Sequence, residues 1–375
     1  MSNNNSVLVF VNTSRAWGGL EMNTIQLAKW MAQQMNVLIA CQEHSPIAEK
    51  AIKQDIPIVY VEKKKTYFPI RASLKLKKII KKWNAHHILF CDNKDMSYCC
   101  WAKFFSSDIR LYYQQHMQIG KHKKDFIHTI RYRMLDAWIS PLLWLAEEVK
   151  QKTNISPKKV HTIPLGLETE KLLQNSITKE EAKTFWNLET EYPVIGIIGR
   201  LDRQKNQHLL IEAVKRLKEQ QIFVTLLIVG EPTKEPIHQD YAEELRKLVK
   251  DAEIEDRVYF HPFTNQIAAF YNALDVFVMA TNRETYGMVT IESMLYGTPV
   301  IASNSGGSPE ILKQGEYGTL FEQGNIDDLT EKIKYVLTNS EQIQQKTAKA
   351  KEHIIEYFDY QSECEKIMDL IRKIN

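Results

Sequence analysis

The sequence predicts an α/β protein whose parallel strands are divided between two domains, and three observations carry that prediction. Short apolar runs without alternation, the first at residues 7–11, read as strands buried on both faces. Amphipathic stretches of helical length separate them, and repeated strand–helix units imply right-handed crossovers and parallel sheets. At 375 residues the chain exceeds what one hydrophobic core usually serves, so two domains are expected.

Composition narrows the class. Hydrophobic residues make up 44% and charged residues 25%, the balance of a globular protein that lives in water. A formal net charge of +3 is too small to argue for nucleic acid as a partner. Cys41, Cys91, Cys99, Cys100 and Cys364 form no CxxC pair and no ligand-like grouping with histidine, so reduced thiols in the cytoplasm are expected. The opening MSNNNSVLVFVN passes from polar residues straight into a strand, without a leader-like pattern. No apolar run reaches membrane-spanning length.

After the first strand, NTSRAWGG at 12–19 leads into a helix with Ile25, Leu27, Ala28, Met31 and Ala32 on one face. Gly18 and Gly19 make either a tight strand–helix turn or a place where backbone approaches a ligand. Strands are expected at 37–41 and 56–61, helices at 46–54 and 69–83, and another buried strand at 87–91. The third helix, RASLKLKKIIKKW, sets Leu74, Ile79, Ile80 and Trp83 against Lys75, Lys77, Lys78, Lys81 and Lys82. That face is either solvated or a surface for anionic lipid headgroups, and KHKK at 121–124 adds a second basic stretch. A strand at 109–114 ends in QQHMQIG, which puts His116 on the same strand edge as the Gly18 and Gly19 loop. A weak strand at 136–139 precedes SPLLWLAEEVKQK, read as a capped helix.

The second domain opens with a strand at 194–198, and Gly199 ends it. Arg200 and Lys205 flank the turn into the next helix, where a forked guanidinium and a point-charge ammonium suit a phosphate clamp. Strands at 224–229 and 258–260 end at Gly230 and at His261, Pro262 and Phe263. A strand at 273–279 leads to RETYGMVTIESMLYGTPVI, residues 283–301, which reads as loop, glycine turn, short helix, turn and buried strand. Glu284 precedes that helix and Glu292 lies inside it. Tyr286, Gly287, Met288 and Val289 occupy its start, where backbone N–H groups have no intrahelical partners. Two carboxylates with amides between them suit a polyhydroxylated ligand carrying phosphate, at the edge where open α/β sheets bind ligands. Gly287 fits a close backbone approach. Glu310 complements a later helix start, and DYQSECEKIMDLIRKI forms a final amphipathic helix. Asp92, Asn93, Lys94 and Asp95 form the one tempting acidic cluster of the first domain, but its lysine repels a metal. Fixed cations are therefore expected to neutralise a diphosphate without metal.

The Glu-x7-Glu spacing of Glu284 and Glu292, followed by GTPV and SGGSPEIL, resembles the retaining nucleotide-sugar glycosyltransferases of family 4, which have the two-domain GT-B fold. GG-x-E at Gly18, Gly19 and Glu21, G-R-x4-K at Gly199, Arg200 and Lys205, and the crossover KKVHTIPLGLETEKL extend the resemblance over nearly the whole chain. One departure is Thr285, where members usually carry glycine; it bears on the fine shape of the sugar pocket. The resemblance implies two Rossmann-like doubly wound domains, 1–168 and 169–355, facing a cleft, with a C-terminal helix at 356–375 crossing back to the first. It implies a UDP- or GDP-sugar donor, with the nucleobase held beside the strand ends at Gly230 and Pro262. Arg200 and Lys205 would stabilise the leaving diphosphate, and Glu292 would hold the ribose. Glu284 would hold sugar hydroxyls together with the amides of Gly287 and Met288. His116 would orient the sugar, and the Gly18–Gly19 loop would lie near the donor phosphates and acceptor.

The expected acceptor is a glycan, a lipid-linked sugar or a small molecule, in cell-surface polysaccharide or glycolipid synthesis, with no cofactor and possible peripheral contact with an anionic membrane. A sugar-nucleotide 2-epimerase on the same fold and a non-enzymatic sugar-nucleotide sensor are the alternatives. A Rossmann dehydrogenase is disfavoured because no G-x-G-x-x-G opens a helix.

Overall fold

The computed structural model describes residues 7–62, 67–188 and 191–374. The chain forms two compact units. One runs up to Gly166 and resumes at Tyr360; the other is Leu167–Asp359.

In the first unit the order is β1 (Val7–Asn12), α1 (Gly19–Met31), β2 (Asn36–Cys41), α2 (Pro46–Ile52), β3 (Ile58–Tyr60), α3 (Ile70–Lys82) and β4 (Ala85–Phe90). Then come α4 (Met96–Phe104), β5 (Arg110–Gln114), α5 (Phe126–Met134), β6 (Ala137–Ser140), α6 (Leu143–Lys152) and β7 (Val160–Thr162). The strands make one parallel sheet in the order β3-β2-β1-β4-β5-β6-β7. β1 shows why its run is continuously apolar. Val7, Val9 and Val11 enter the core on one face of the sheet, and Leu8 and Phe10 enter the core on the other.

The second unit contains α7 (Thr169–Gln174), α8 (Lys179–Phe185), β8 (Val194–Ile198), α9 (Gln207–Glu219), β9 (Thr225–Val229), α10 (Pro236–Asp251), β10 (Val258–His261) and α11 (Ile267–Ala273). It continues with β11 (Val276–Met279), α12 (Met288–Tyr296), β12 (Val300–Ser303), α13 (Ser308–Ile311), β13 (Thr319–Phe321), α14 (Ile326–Thr338) and α15 (Ser340–Tyr357). Its parallel sheet has the order β10-β9-β8-β11-β12-β13. β8 and β11 are thus neighbours at the centre, and the order reverses between them. Open sheets of this type bind ligands at that reversal.

The last helix, α16 (Tyr360–Ile374), returns to the first unit and packs beside α1. Cys364, Ile367, Met368 and Ile371 share a core with Ile25, Ala28 and Met31, as its amphipathic spacing requires.

Four local expectations are corrected. The strand expected at 273–279 starts only at Val276, because α11 runs through Ala273 with Leu274 as its C-cap; Asp275 then pins the adjoining strand, its Oδ2 accepting from Val194 N at 2.8 Å while its Oδ1 pairs with Lys179 at 2.5 Å. The strand expected at 56–61 is only Ile58–Tyr60. Ser140 does not cap α6. It ends β6 with its hydroxyl donating to Gln115 Oε1 at 2.7 Å, and the N-cap is Leu142 with no side-chain bond. α3 buries Ala72, Ser73, Leu76 and Ile80, whereas Leu74 and Trp83 are exposed. Of the apolar face read from the sequence, Ile80 is therefore core and Ile79 packs half-buried against it, while Leu74 and Trp83 lie outside the buried stripe.

Candidate active site

Three strand ends of the second unit are tied together by backbone. Gly199 N donates to Val229 O and Gly230 N donates to His261 O, each at 2.9 Å. Gly199 (φ +146) and Gly230 (φ +148) both adopt a conformation open to glycine, and a Cβ on Gly230 would lie 1.9 Å from Gly199 O. The glycine at 230 is thus demanded by its neighbouring strand end. Pro262 follows β10 and is exposed, next to the exposed Phe263.

The turn between β8 and α9 is built on two buried residues that sequence reasoning passed over. Asp202 accepts from the amides of Gln204 (2.9 Å) and Lys205 (3.3 Å) through Oδ1, and from Arg200 Nε (2.6 Å) through Oδ2. Asn206, left-handed at φ 56, caps α9 and reaches across to Ala280 O at 2.8 Å and Asn282 Oδ1 at 2.7 Å. Asp202 thereby aims Arg200, whose side chain is 51% exposed, and Asn206 fixes this turn against the loop after β11.

Lys205 meets Glu284 at that junction. Its Nζ donates to Glu284 Oε2 at 2.9 Å, and Glu284 Oε1 accepts from Thr285 N at 3.1 Å. The Glu284 carbonyl accepts from Gly307 N at 2.9 Å, and a Cβ on Gly306 (φ +61) would lie 2.1 Å from it. The SGGSPEIL segment therefore shapes the loop that carries Glu284.

α12 starts one turn-position later than the sequence implied. Gly287 is its N-cap at φ +92, so the glycine is required by conformation; a Cβ there would meet protein atoms no closer than 3.4 Å. Met288 and Val289 are the first helical residues, and their amides have no carbonyl one turn earlier within the helix. Tyr286 points inward and is buried, with its ring 6.5 Å from that of Phe358.

Glu292 is half-buried on α12 and accepts from the Tyr271 hydroxyl through Oε2 at 2.9 Å. Burial pushes its carboxyl up to about 7, and the Tyr271 bond pulls the other way. Tyr271, stacked on Tyr296 with centroids 5.5 Å apart, is the partner of Glu292 that α11 supplies and that nothing in its local sequence marks.

In the first unit, Gly18 is the N-cap of α1 in extended backbone and Gly19 is its first residue. A Cβ on Gly18 would make ordinary contact with Glu21 at 3.5 Å, and one on Gly19 would meet nothing within 4 Å. Neither glycine is required by the protein's own packing. His116 lies two residues past β5, with Nε2 3.4 Å from Asn23 Nδ2. Burial lowers its pKa to about 4, so the imidazole is neutral near pH 7. Behind it, Asn23 donates to Gln114 Oε1 at 3.0 Å and accepts from Tyr360 at 2.7 Å, while Gln114 donates to Glu363 at 2.6 Å. α16 thus supplies two polar groups to the network that holds the histidine. The acidic run after β4 is used structurally: Asp92 accepts from Lys94 N at 2.9 Å, and the buried Asp95 accepts from Thr13 N at 2.9 Å. Among the described residues no group of three or more His, Cys, Asp or Glu side chains is placed to hold a metal.

Two family models match the chain. Residues 178–353 match Glycosyl transferases group 1, and residues 17–171 match Glycosyltransferase Family 4. The lipopolysaccharide core biosynthesis glycosyltransferase LpsE of Rhizobium meliloti is 32% identical over 148 residues, 40% of each chain. An uncharacterized glycosyltransferase of Haemophilus influenzae is 24% identical over 88% of this chain and 90% of its own. In other curated relatives the shared stretch is 41% to 63% of the relative's length. The crystal structure of Anabaena HepE in complex with UDP superposes with a TM-score of 0.84 at 20% identity, covering 98% of this chain and 100% of HepE.

Proposed function

From the premise that this chain belongs to the group 1 and family 4 glycosyltransferases of the GT-B fold, we propose that it is a retaining enzyme using a nucleoside diphosphate sugar. The observation that carries the site assignment is the pairing of Lys205 with Glu284. The central adjacency of β8 and β11 brings a cation from one strand-end loop onto a carboxylate from the next. In the free protein these two groups satisfy each other. With donor present, the ammonium would turn to the diphosphate and the carboxylate to sugar hydroxyls, with Arg200 as the second cation. The amides of Gly287, Met288 and Val289 would assist at the helix start, and Glu292 would accept from the ribose.

In the reaction, the bond from the anomeric carbon to the diphosphate oxygen breaks and a bond to the acceptor oxygen forms on the same face of the sugar. The acceptor proton passes to the departing phosphate. Arg200 and Lys205 compensate the charge that builds on the diphosphate, and the proposal includes activity without a metal. His116, neutral and held by Asn23, is proposed to orient the donor sugar as a hydrogen-bonding group. UDP as the nucleotide draws support from its binding by HepE. A glycan or lipid-linked acceptor draws support from LpsE and from the GDP-mannose-dependent phosphatidylinositol monomannoside mannosyltransferase of Mycobacterium tuberculosis, 26% identical over 56% of this chain. The proposal includes work at the cytoplasmic face of a membrane through a peripheral contact.

Titration with UDP, GDP and their sugars in EDTA identifies the donor, and NMR of the first product formed reads the anomeric configuration. A product of inverted configuration refutes retention. Release of a free 2-epimer without acceptor, or binding without turnover on any acceptor class, refutes glycosyl transfer.

A further inference from the structure

The hydrogen bonds behind His116 have a direction, and it runs from α16 to the imidazole ring. It starts at a group that has no choice of role. Gly166 N can only donate, and Glu363 Oε2 accepts from it at 2.7 Å. As a carboxylate Glu363 is an acceptor only, so its Oε1 takes a hydrogen from Gln114 Nε2 at 2.6 Å. That leaves Gln114 Oε1 as the acceptor on the far side of the amide. Two donors converge on it, Asn23 Nδ2 at 3.0 Å and the Cys91 thiol at 3.3 Å. Burial pushes that thiol up to about 12, so it keeps the proton it donates. Asn23 Oδ1 is occupied in its turn by the Tyr360 hydroxyl at 2.7 Å. Partners, not shape, therefore fix which way each amide faces.

The last link reaches the histidine. Asn23 Nδ2 carries two hydrogens: one goes to Gln114, and the other faces His116 Nε2 at 3.4 Å. A ring nitrogen that meets an amide N–H has to offer its lone pair, which puts the proton of the imidazole on Nδ1. Nδ1 has no hydrogen-bond partner among the described residues, and the ring is only half-buried. Asn23, Gln114, Tyr360 and Glu363 are all buried. Turning one amide over would bring donor onto donor or acceptor onto acceptor away from water, so the arrangement is held as a unit.

We propose that Asn23 is a positioning residue that holds His116 as the Nδ1–H tautomer, with α16 setting its direction through Tyr360 and Glu363. The ring then meets its ligand as a hydrogen-bond donor. The ligand atom has to bring a lone pair, so a hydroxyl, carbonyl or carboxylate oxygen of a sugar fits and the ammonium of an amino sugar does not. The proposal rests on the reading of His116 as the group that orients the donor sugar, and adds which nitrogen does so and what imposes it.

The test is 15N NMR of the whole protein labelled at histidine, at about pH 9, above the value of about 8 to which burial raises Glu363. The His116 signals are identified by their loss in His116→Gln. They should show a proton on Nδ1 and none on Nε2, and a proton on Nε2 overturns the proposal. In Glu363→Gln the single side-chain oxygen is still claimed by Gly166 N, so an NH2 group faces Gln114. Every partner is satisfied again only if both amides turn over, since the Tyr360 hydroxyl can accept as readily as donate. The His116 proton should then move to Nε2, a change that loss of stability alone would not produce. An unmoved proton in that variant overturns the transmission from α16 and the proposal with it. Asn23→Ala should leave the two tautomers mixed and lower kcat about fivefold, the worth of one neutral hydrogen bond, with Kd for plain nucleoside diphosphate unchanged. A proton kept wholly on Nδ1 in Asn23→Ala, or equal losses in kcat and nucleotide affinity, overturns it as well. The tautomer is read without substrate, so the two readings fail separately. A proton on Nε2 in a wild type that still turns over sinks this inference alone; a wild type that binds no nucleoside diphosphate sugar sinks the glycosyltransferase site.

Discussion

Replacing Glu292 by glutamine tests the ribose assignment at the residue whose environment is most unusual. Desolvation moves this carboxyl from 4.5 up to about 7, against the opposing hydrogen bond from Tyr271. Tyr271 and Tyr296, packed beside it, are raised by burial and stay protonated through the working range. A ribose hydroxyl donates best to the ionised form. At pH 6, one unit below the carboxyl's value, only about a tenth of the protein is ionised, so nucleoside diphosphate should bind roughly tenfold more weakly than above pH 8. Glutamine accepts a hydrogen bond without charge and does not titrate. The lost charge assistance should cost about 1.5–3 kcal/mol, roughly 10- to 150-fold in Kd at pH 8. Isothermal titration between pH 5.5 and 8.5 reads both effects, and the ligand's own phosphate titration cancels between wild type and variant. The same shift gives stability an opposite slope. A carboxyl whose folded value lies above its unfolded one stabilises the fold most below about pH 4.5, and that contribution is lost as pH rises through about 7. Equal Kd for the two proteins at pH 8, or an unchanged pH slope in Glu292→Gln, would refute the assignment.

Arg200→Ala combined with Lys205→Ala should lose roughly 3–6 kcal/mol of transition-state stabilisation, read as kcat/KM in EDTA; a mild loss together with absolute dependence on Mn2+ would remove the clamp. His116→Ala should lower turnover by about 1–3 kcal/mol while sparing plain nucleoside diphosphate affinity, and equal losses in both would place the histidine elsewhere. Gly230→Ala should cost about 3 kcal/mol or more, because a Cβ there falls 1.9 Å from Gly199 O at φ +148, and an unchanged Tm contradicts that packing. Burial raises Glu363 to about 8, with the bonds from Gly166 N (2.7 Å) and Gln114 (2.6 Å) opposing it. Stability of the first unit should therefore fall as pH climbs from about 4.5 through about 8, and Glu363→Gln should flatten that fall in thermal melts.

The sequence by itself determined the parts that depend on short-range order. Uninterrupted apolar runs such as Val7 to Val11 announce a strand buried on both faces, and their alternation with amphipathic helices announces parallel sheets. Gly199, Arg200 and Lys205 around one turn, and Glu284 and Glu292 around one helix start, suit the proposed phosphate- and hydroxyl-binding chemistry through residue type and spacing alone. The tertiary structure decided which of these groups meet. Lys205 and Glu284 are 79 residues apart and come together because β8 and β11 are neighbours at the centre of the sheet, an order no local pattern encodes. Tyr271 reaches Glu292 from another helix, and only that enclosure lifts its carboxyl, since desolvation depends on everything packed around a group. α16 carries a buried glutamate to Gln114, 249 residues away, through a periodicity that signals an amphipathic helix but not its destination. On α3 the same limit corrected part of a reading. Leu74 and Leu76 look alike in sequence, and the packing of α4 decides that one is core and the other faces water.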